Sequence, residues 1–164
     1  PIKSSAASDV YKRQQLKYIH AVYDLAKEKG YIQDATFTGM KHRMEQENMQ
    51  RSEKVARGEA VYGLKEYTLD LYQEYELSMI EEAYILDETN EGMGLTEEEI
   101  EAYYNTRDWI VGEDARKADL SEARAAVIDE MRRNRYKELT EQKAAVAEVD
   151  GDMDQLSQFT LKQL

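Results

Sequence analysis

From Ile2 to Leu164 the chain contains no proline; the only one stands at position 1. Inside a helix proline costs about 3 kcal/mol, because it lacks an N–H donor and its ring clashes with the preceding turn. A long proline-free run with apolar residues at helical spacing predicts an all-α fold of four to five helices. Leu16, Ile19, Tyr23 and Ala26 share one face, and Gly30 follows as a C-cap. Asp34 or Thr38 is expected to cap a second helix that passes through Met40, Met44 and Val55 and stops near Gly58. The third helix, from about 65 to 87, is expected to be the longest and to run antiparallel to the last. Its inward stripe would be Leu64, Tyr67, Leu71, Tyr75, Met79 and Ala83, widened by Tyr72, Ile80 and Tyr84. That phase makes Leu71 a core position and Tyr72 an edge position.

Asn90, Gly92 and Gly94 mark the stretch from Asp87 to Leu95 as a loop. Thr96 and Glu99 then form a capping-box pattern, opening a helix with Ile100, Tyr103 and Tyr104 that fades before Gly112. A last long helix starts near Ser121 and carries Ala123, Val127, Met131 and Leu139 inward. It ends around Val146 and the Asp150-Gly151-Asp152 turn, and the tail to Leu164 reads as a short strand, a weak helix or a disordered end.

Charge narrows the function classes. The formal net charge is −12, which argues against nucleic-acid or anionic-membrane binding. It is also uneven: residues 58–105 hold one basic and 14 acidic side chains, residues 1–57 eleven and seven. Either the acidic third helix lies beside the basic second and last helices, or it exposes a surface for a cation or a basic client. Exposed ion pairs contribute little each, so the pattern bears on topology more than on stability. Without cysteine there is no disulfide, thiolate zinc site or cysteine nucleophile. No apolar run reaches the ~18–20 residues that a membrane span needs.

Catalytic and metal motifs find little support. There is no phosphate-cradling glycine loop and no Gly-x-Ser-x-Gly elbow. His20 and His42 lie on different helices, outside any His-Glu-x-x-His motif. Asp150, Asp152 and Asp154 begin like a calcium loop, but Gln155 stands where glycine is needed and Leu161 where glutamate is needed, so they read as a polar turn. Glu97, Glu98, Glu99 and Glu101 sit where the dipole of a helix N-terminus favours acids. No cofactor or metal is expected. The 12 Tyr outnumber two Phe and one Trp, and an apolar ring with a polar tip serves either a core with wet edges or a polypeptide-binding groove. The candidate client-binding residues are Tyr67, Tyr72, Tyr75 and Met79 on the long helix, with Tyr103, Tyr104 and Trp109 opposite.

The string from Thr96 to Tyr104, Thr-Glu-Glu-Glu-Ile-Glu-Ala-Tyr-Tyr, resembles a signature of SurA-like chaperones and parvulin-type foldases. Ala123 to Ala147 is similar to their return helix. Glu47-Asn48, Arg51 and the Gly58-Glu59-Ala60-Val61-Tyr62-Gly63 turn resemble a version from gut Gram-positive bacteria. The resemblance implies a SurA N-terminal-like chaperone domain over residues 15–150, without the isomerase domain, for which the chain has no room. It further implies an extracytoplasmic, surface or lipid-anchored location and the holding of unfolded or extended clients without cofactor or ATP. A peptidyl-prolyl isomerase relative and a helical adaptor that homodimerises are the alternatives. Ser8-Asp9-Val10-Tyr11-Lys12-Arg13-Gln14 resembles a translated sequencing-adapter remnant of metagenomic fragments. Residues 1–14 are therefore expected to be a non-native or disordered leader that replaces any export signal, and 151–164 a C-terminal tail.

Overall fold

A computed structural model of the chain describes residues 2–113 and 115–147. Among the described residues, five helices and one small hairpin make up the fold: α1 (Ile2–Glu28), α2 (Phe37–Ala56), α3 (Leu69–Leu86), α4 (Glu97–Tyr104), β1 (Ile110–Val111), β2 (Arg116–Lys117) and α5 (Leu120–Val146). The all-α expectation holds. The longest helices are α1 and α5, with 27 residues each, whereas α3 has 18 and starts later than its periodicity suggested. Residues 2–14, expected to be a leader, are the first half of α1. The acidic turn at 150–154 and the tail lie outside the described residues.

The chain divides into two compact units, one formed by residues up to Ile80 with the chain from Thr140 onward, the other by Glu81–Leu139. In the first unit, Ile19, Val22, Tyr23 and Ala26 of α1 pack with Ile32, Met40 of α2, and Tyr72 and Ile80 of α3. Gly30 ends α1 at φ +77°; the Tyr31 amide donates to Ala26 O at 2.8 Å and the Gly30 amide to Lys27 O at 3.0 Å. That closing pattern needs a left-handed residue. Neither Asp34 nor Thr38 caps α2. Thr36 does, its hydroxyl accepting from the Gly39 amide, while Asp34 Oδ1 accepts from the Thr36 amide at 2.8 Å. The Asp34 side chain fills the space a Cβ on Gly39 would need, which would stand 2.5 Å from Asp34 Cγ.

The inward face of α3 is rotated by about one residue from the expected stripe. Tyr72 is 6% exposed, and Ile80 and Tyr84 are buried, whereas Leu71 is 39% and Met79 51% exposed. One residue is about 100° of helix, so both phases carry apolar side chains. What selects between them is Glu76: it lies on the buried face because Arg43 of α2 meets it there at 2.7 Å.

The second unit is built on Ile100, Trp109, Ala118, Ala123, Val127 and Met131. The Thr96–Glu99 capping box is formed in both directions. After α4 the chain makes an antiparallel hairpin, Ile110 opposite Lys117 and Val111 opposite Arg116. Tyr72→Ala is therefore expected to cost roughly 3–5 kcal/mol, as truncation of a buried aromatic does, and Leu71→Ala under about 1 kcal/mol. Urea denaturation followed by circular dichroism separates them; equal losses would contradict the observed phase.

Candidate functional site

Three of the four expected client-binding residues of the first unit form one aromatic cluster. Tyr67 stacks on Tyr75 with ring centroids 5.1 Å apart and meets Tyr72 edge-on at 5.7 Å. Such pairs add about 0.5–1.5 kcal/mol beyond area burial. The cluster is held from α2. Arg51 lies over the Tyr67 ring at 4.8 Å and is oriented by Glu47, one turn back, at 2.8 Å. Its guanidinium also donates to the carbonyls of Tyr62 at 2.9 Å and Leu64 at 2.7 Å. Asn48 closes on the backbone of Tyr67 from both sides, its Oδ1 accepting from the amide at 2.7 Å and its Nδ2 donating to the carbonyl at 3.0 Å.

Beneath the rings lies a charged pair. Arg43 Nε and Nη2 donate to the two Glu76 oxygens at 2.7 Å each, and the Tyr72 hydroxyl donates to Glu76 Oε2 at 3.0 Å. Burial first, and the Glu76 carboxylate second, push the phenols of Tyr23 and Tyr72 well above their ordinary range. Both therefore remain protonated at any physiological pH, and Tyr72 donates to Glu76.

The expected residues of the second unit are turned to internal bonds. Tyr104 OH donates to Ala118 O at 2.7 Å and Trp109 Nε1 to Tyr104 O at 3.1 Å, fastening the hairpin to α4. Tyr103 OH donates to Glu130 at 2.9 Å and accepts from Asn134 at 2.9 Å. Trp109 is buried under the Arg107 guanidinium, 4.1 Å from its ring centroid. Tyr67, Tyr72, Tyr75 and Met79 belong to one unit, Tyr103, Tyr104 and Trp109 to the other, and each set of rings packs within its own core cluster. Two surface grooves of about 600 Å³ lie in the first unit. One is lined by residues 30–34 with Thr38, His42 and Gln46, the other by Tyr11, Gln14, Tyr18, Glu141 and Ala144. None of the seven expected residues lines either groove. Among the described residues, no three metal-ligating side chains converge. His20 pairs with Asp24 on its own helix at 3.4 Å, and His42 with Gln46.

The turn between α2 and α3 was expected from Gly58 and Gly63, but its exposed Tyr62 was not among the candidate binding residues. Tyr62 there is 87% exposed, and its local signal, Gly58 and Gly63 on either side, was visible. Both glycines have positive φ, +74° and +78°.

No protein-family model matches the chain. It is similar to a chaperone for lacto-N-biosidase. That protein, from Bifidobacterium longum subsp. longum, is 36% identical over 151 residues, 92% of this chain. The chain spans about half of the relative's length, 54%. Two crystal structures of a GH136 lacto-N-biosidase from Eubacterium ramulus contain the same helical fold. The native protein has a TM-score of 0.66 at 19% identity, with 80% of this chain and 28% of that chain covered. The selenomethionine derivative has a TM-score of 0.72 at 16% identity, with 90% and 30% covered. These similarities overturn the resemblance to SurA-like chaperones and parvulin-type foldases, and leave the isomerase alternative that rested on it without support. One of the three stretches that carried it, Thr96 to Tyr104, is a capped amphipathic helix, a pattern that unrelated helical proteins share.

The charged pair and the exposed carboxylates each give an expected outcome. Glu76→Ala leaves Arg43 half-buried without its partner and should cost roughly 3 kcal/mol, whereas Arg43→Met with Glu76→Leu should restore most of the loss. Chemical denaturation of the two variants beside the parent checks this. Hydrogen bonds from Arg124 and from the Thr96 amide hold Glu97 and Glu99 below the ordinary carboxylate range, and Ser121 and Arg116 do so for Asp119 and Glu122. Folded values below unfolded ones stabilise above the unfolded pKa of about 4, and the contribution is lost as pH falls through the depressed values. The urea midpoint should hold from pH 8 to 5 and drop below about pH 4; a midpoint that rises in acid would contradict these ties.

Proposed function

We propose that this chain is the helical part of a dedicated folding chaperone for a glycoside hydrolase of the lacto-N-biosidase type. The similarity over 92% of the chain to a chaperone for lacto-N-biosidase carries the reading. The occurrence of the same fold within lacto-N-biosidase structures supports it, since a helical unit of this shape is compatible with such a hydrolase. The internal bonding of Tyr72, Tyr104 and Trp109 also favours it over the holding of arbitrary unfolded chains. Those rings are committed to packing, so the surface left for a client is the fixed outside of a folded domain, suited to one defined partner.

Binding alone does the work in this mechanism. A partner that binds only the folded hydrolase stabilises it by about 2.7 kcal/mol at a hundred times its dissociation constant. No step of it needs a nucleotide or a covalent intermediate. The test is to produce the Bifidobacterium longum lacto-N-biosidase without its own chaperone, with this chain, and with a chimera in which this chain replaces the matching part of that chaperone. Hydrolysis of a chromogenic lacto-N-bioside should rise severalfold with the chain or the chimera. No rise with either would overturn the reading.

A further inference from the structure

Between Ala56 and Leu69 the backbone forms neither helix nor strand, yet it is heavily restrained. At the start, the Glu59 amide donates to Lys54 O at 2.9 Å and the Gly58 amide to Val55 O at 3.0 Å, closing α2. At the end, Asn48 grips Tyr67 at both its amide and its carbonyl. Across the middle, one Arg51 guanidinium takes the carbonyls of Tyr62 and Leu64 and reaches the Tyr67 hydroxyl at 3.4 Å. The Arg51 side chain is only 13% exposed, so a permanently charged group has been withdrawn from water to shape this loop.

What the loop displays is apolar. Tyr62 is 87% and Leu64 44% exposed, and the bond at Tyr62 is made by its carbonyl, leaving the ring outward. A tyrosine on a prefixed backbone is an economical binding anchor, because little conformational entropy remains to be lost on docking. The charge around it selects the partner. Lys65 is the single base between 58 and 105; Glu59 is paired with Arg57 at 2.6 Å, while Glu66 in the loop and Glu74 on α3 are exposed, as is Leu71. A second copy of the chain would bring the same acids against themselves. A surface with Lys or Arg around an apolar socket would meet complementary charge.

We propose that the Tyr62 loop is the docking element with which this chain grips its glycoside hydrolase partner, its ring entering an apolar socket edged by basic side chains. The proposal rests on the chaperone reading above and names its contact surface. The test uses the same chimera and the Bifidobacterium longum lacto-N-biosidase, with binding measured by biolayer interferometry alongside the activity gained. Tyr62→Ala should leave the melting temperature unchanged, weaken binding at least tenfold, in the range of interface anchors, and lower the gain in activity. Tyr62→Phe should retain binding. Glu66→Lys should weaken it at low salt, with the difference shrinking as salt rises. If the parent chimera rescues the enzyme and Tyr62→Ala binds and rescues equally, this proposal falls and the chaperone reading stands. If the parent neither binds nor rescues, both fall. If the parent chain sediments as a dimer that Tyr62→Ala dissociates, the loop serves self-association and the docking proposal is overturned.

Discussion

Arginine on two helices makes the acidic middle of this chain foldable. In the first unit Arg43 of α2 neutralises Glu76, the carboxylate that α3 turns inward. In the second, α5 supplies Arg132 to Glu88, Arg133 to Glu81 and Glu82, and Arg135 to Glu99. Arg132 and Arg135 also donate to the carbonyls of Met93 and Gly92, so the same side chains settle both the charge and the backbone of the loop after α3. The guanidinium suits this double task, since its planar fork binds a carboxylate and a carbonyl at once where a lysine offers one compact charge.

The bonding of the aromatic residues follows from that frame. With Glu76 fixed under Arg43, Tyr72 gains an acceptor one turn away and is drawn into the core, and Tyr67 and Tyr75 close over it. Tyr72, Tyr103 and Tyr104 serve as apolar bulk whose hydroxyls donate to Glu76, Glu130 and the Ala118 carbonyl. Exposed apolar side chains remain in the α2–α3 loop and at positions such as Leu71 and Met79.

Helix existence was legible in the sequence because apolar spacing, Gly30, Gly58 and the Thr96–Glu99 box are local signals. The placement of acidic helices beside basic ones was legible from charge. The phase of α3 was not: Leu71, Tyr72, Tyr75, Met79 and Ile80 spread apolar residues over about half of its circumference, and its true face is marked by a glutamate, which ordinary patterning assigns to solvent. The cap of α2 was missed between two plausible neighbours, Asp34 and Thr38, because Asp34 supports Thr36 instead of capping. The two-residue strands are too short to show alternation. Of the site, the tyrosine-rich stretch was visible as composition, but its commitment to internal bonds depended on residues such as Arg43 and Ala118, far away in sequence. The resemblance to foldases rested on a capped-helix string, a return helix and a glycine-bounded turn, local patterns that point to no particular family.

Glu99 has two bonds with different reach. One oxygen accepts from the Thr96 amide at 2.9 Å and starts α4; the other accepts from Arg135 of α5 at 2.8 Å. Ends of helices ordinarily fray on their own, independently of the rest of a domain. Here the opening of the first turn of α4 also strips Arg135 of its counter-ion, so the start of α4 and the middle of α5 are bound into one cooperative element. Amide protons around Thr96 and Glu99 are thereby protected by a larger opening event than their position at a helix terminus would suggest.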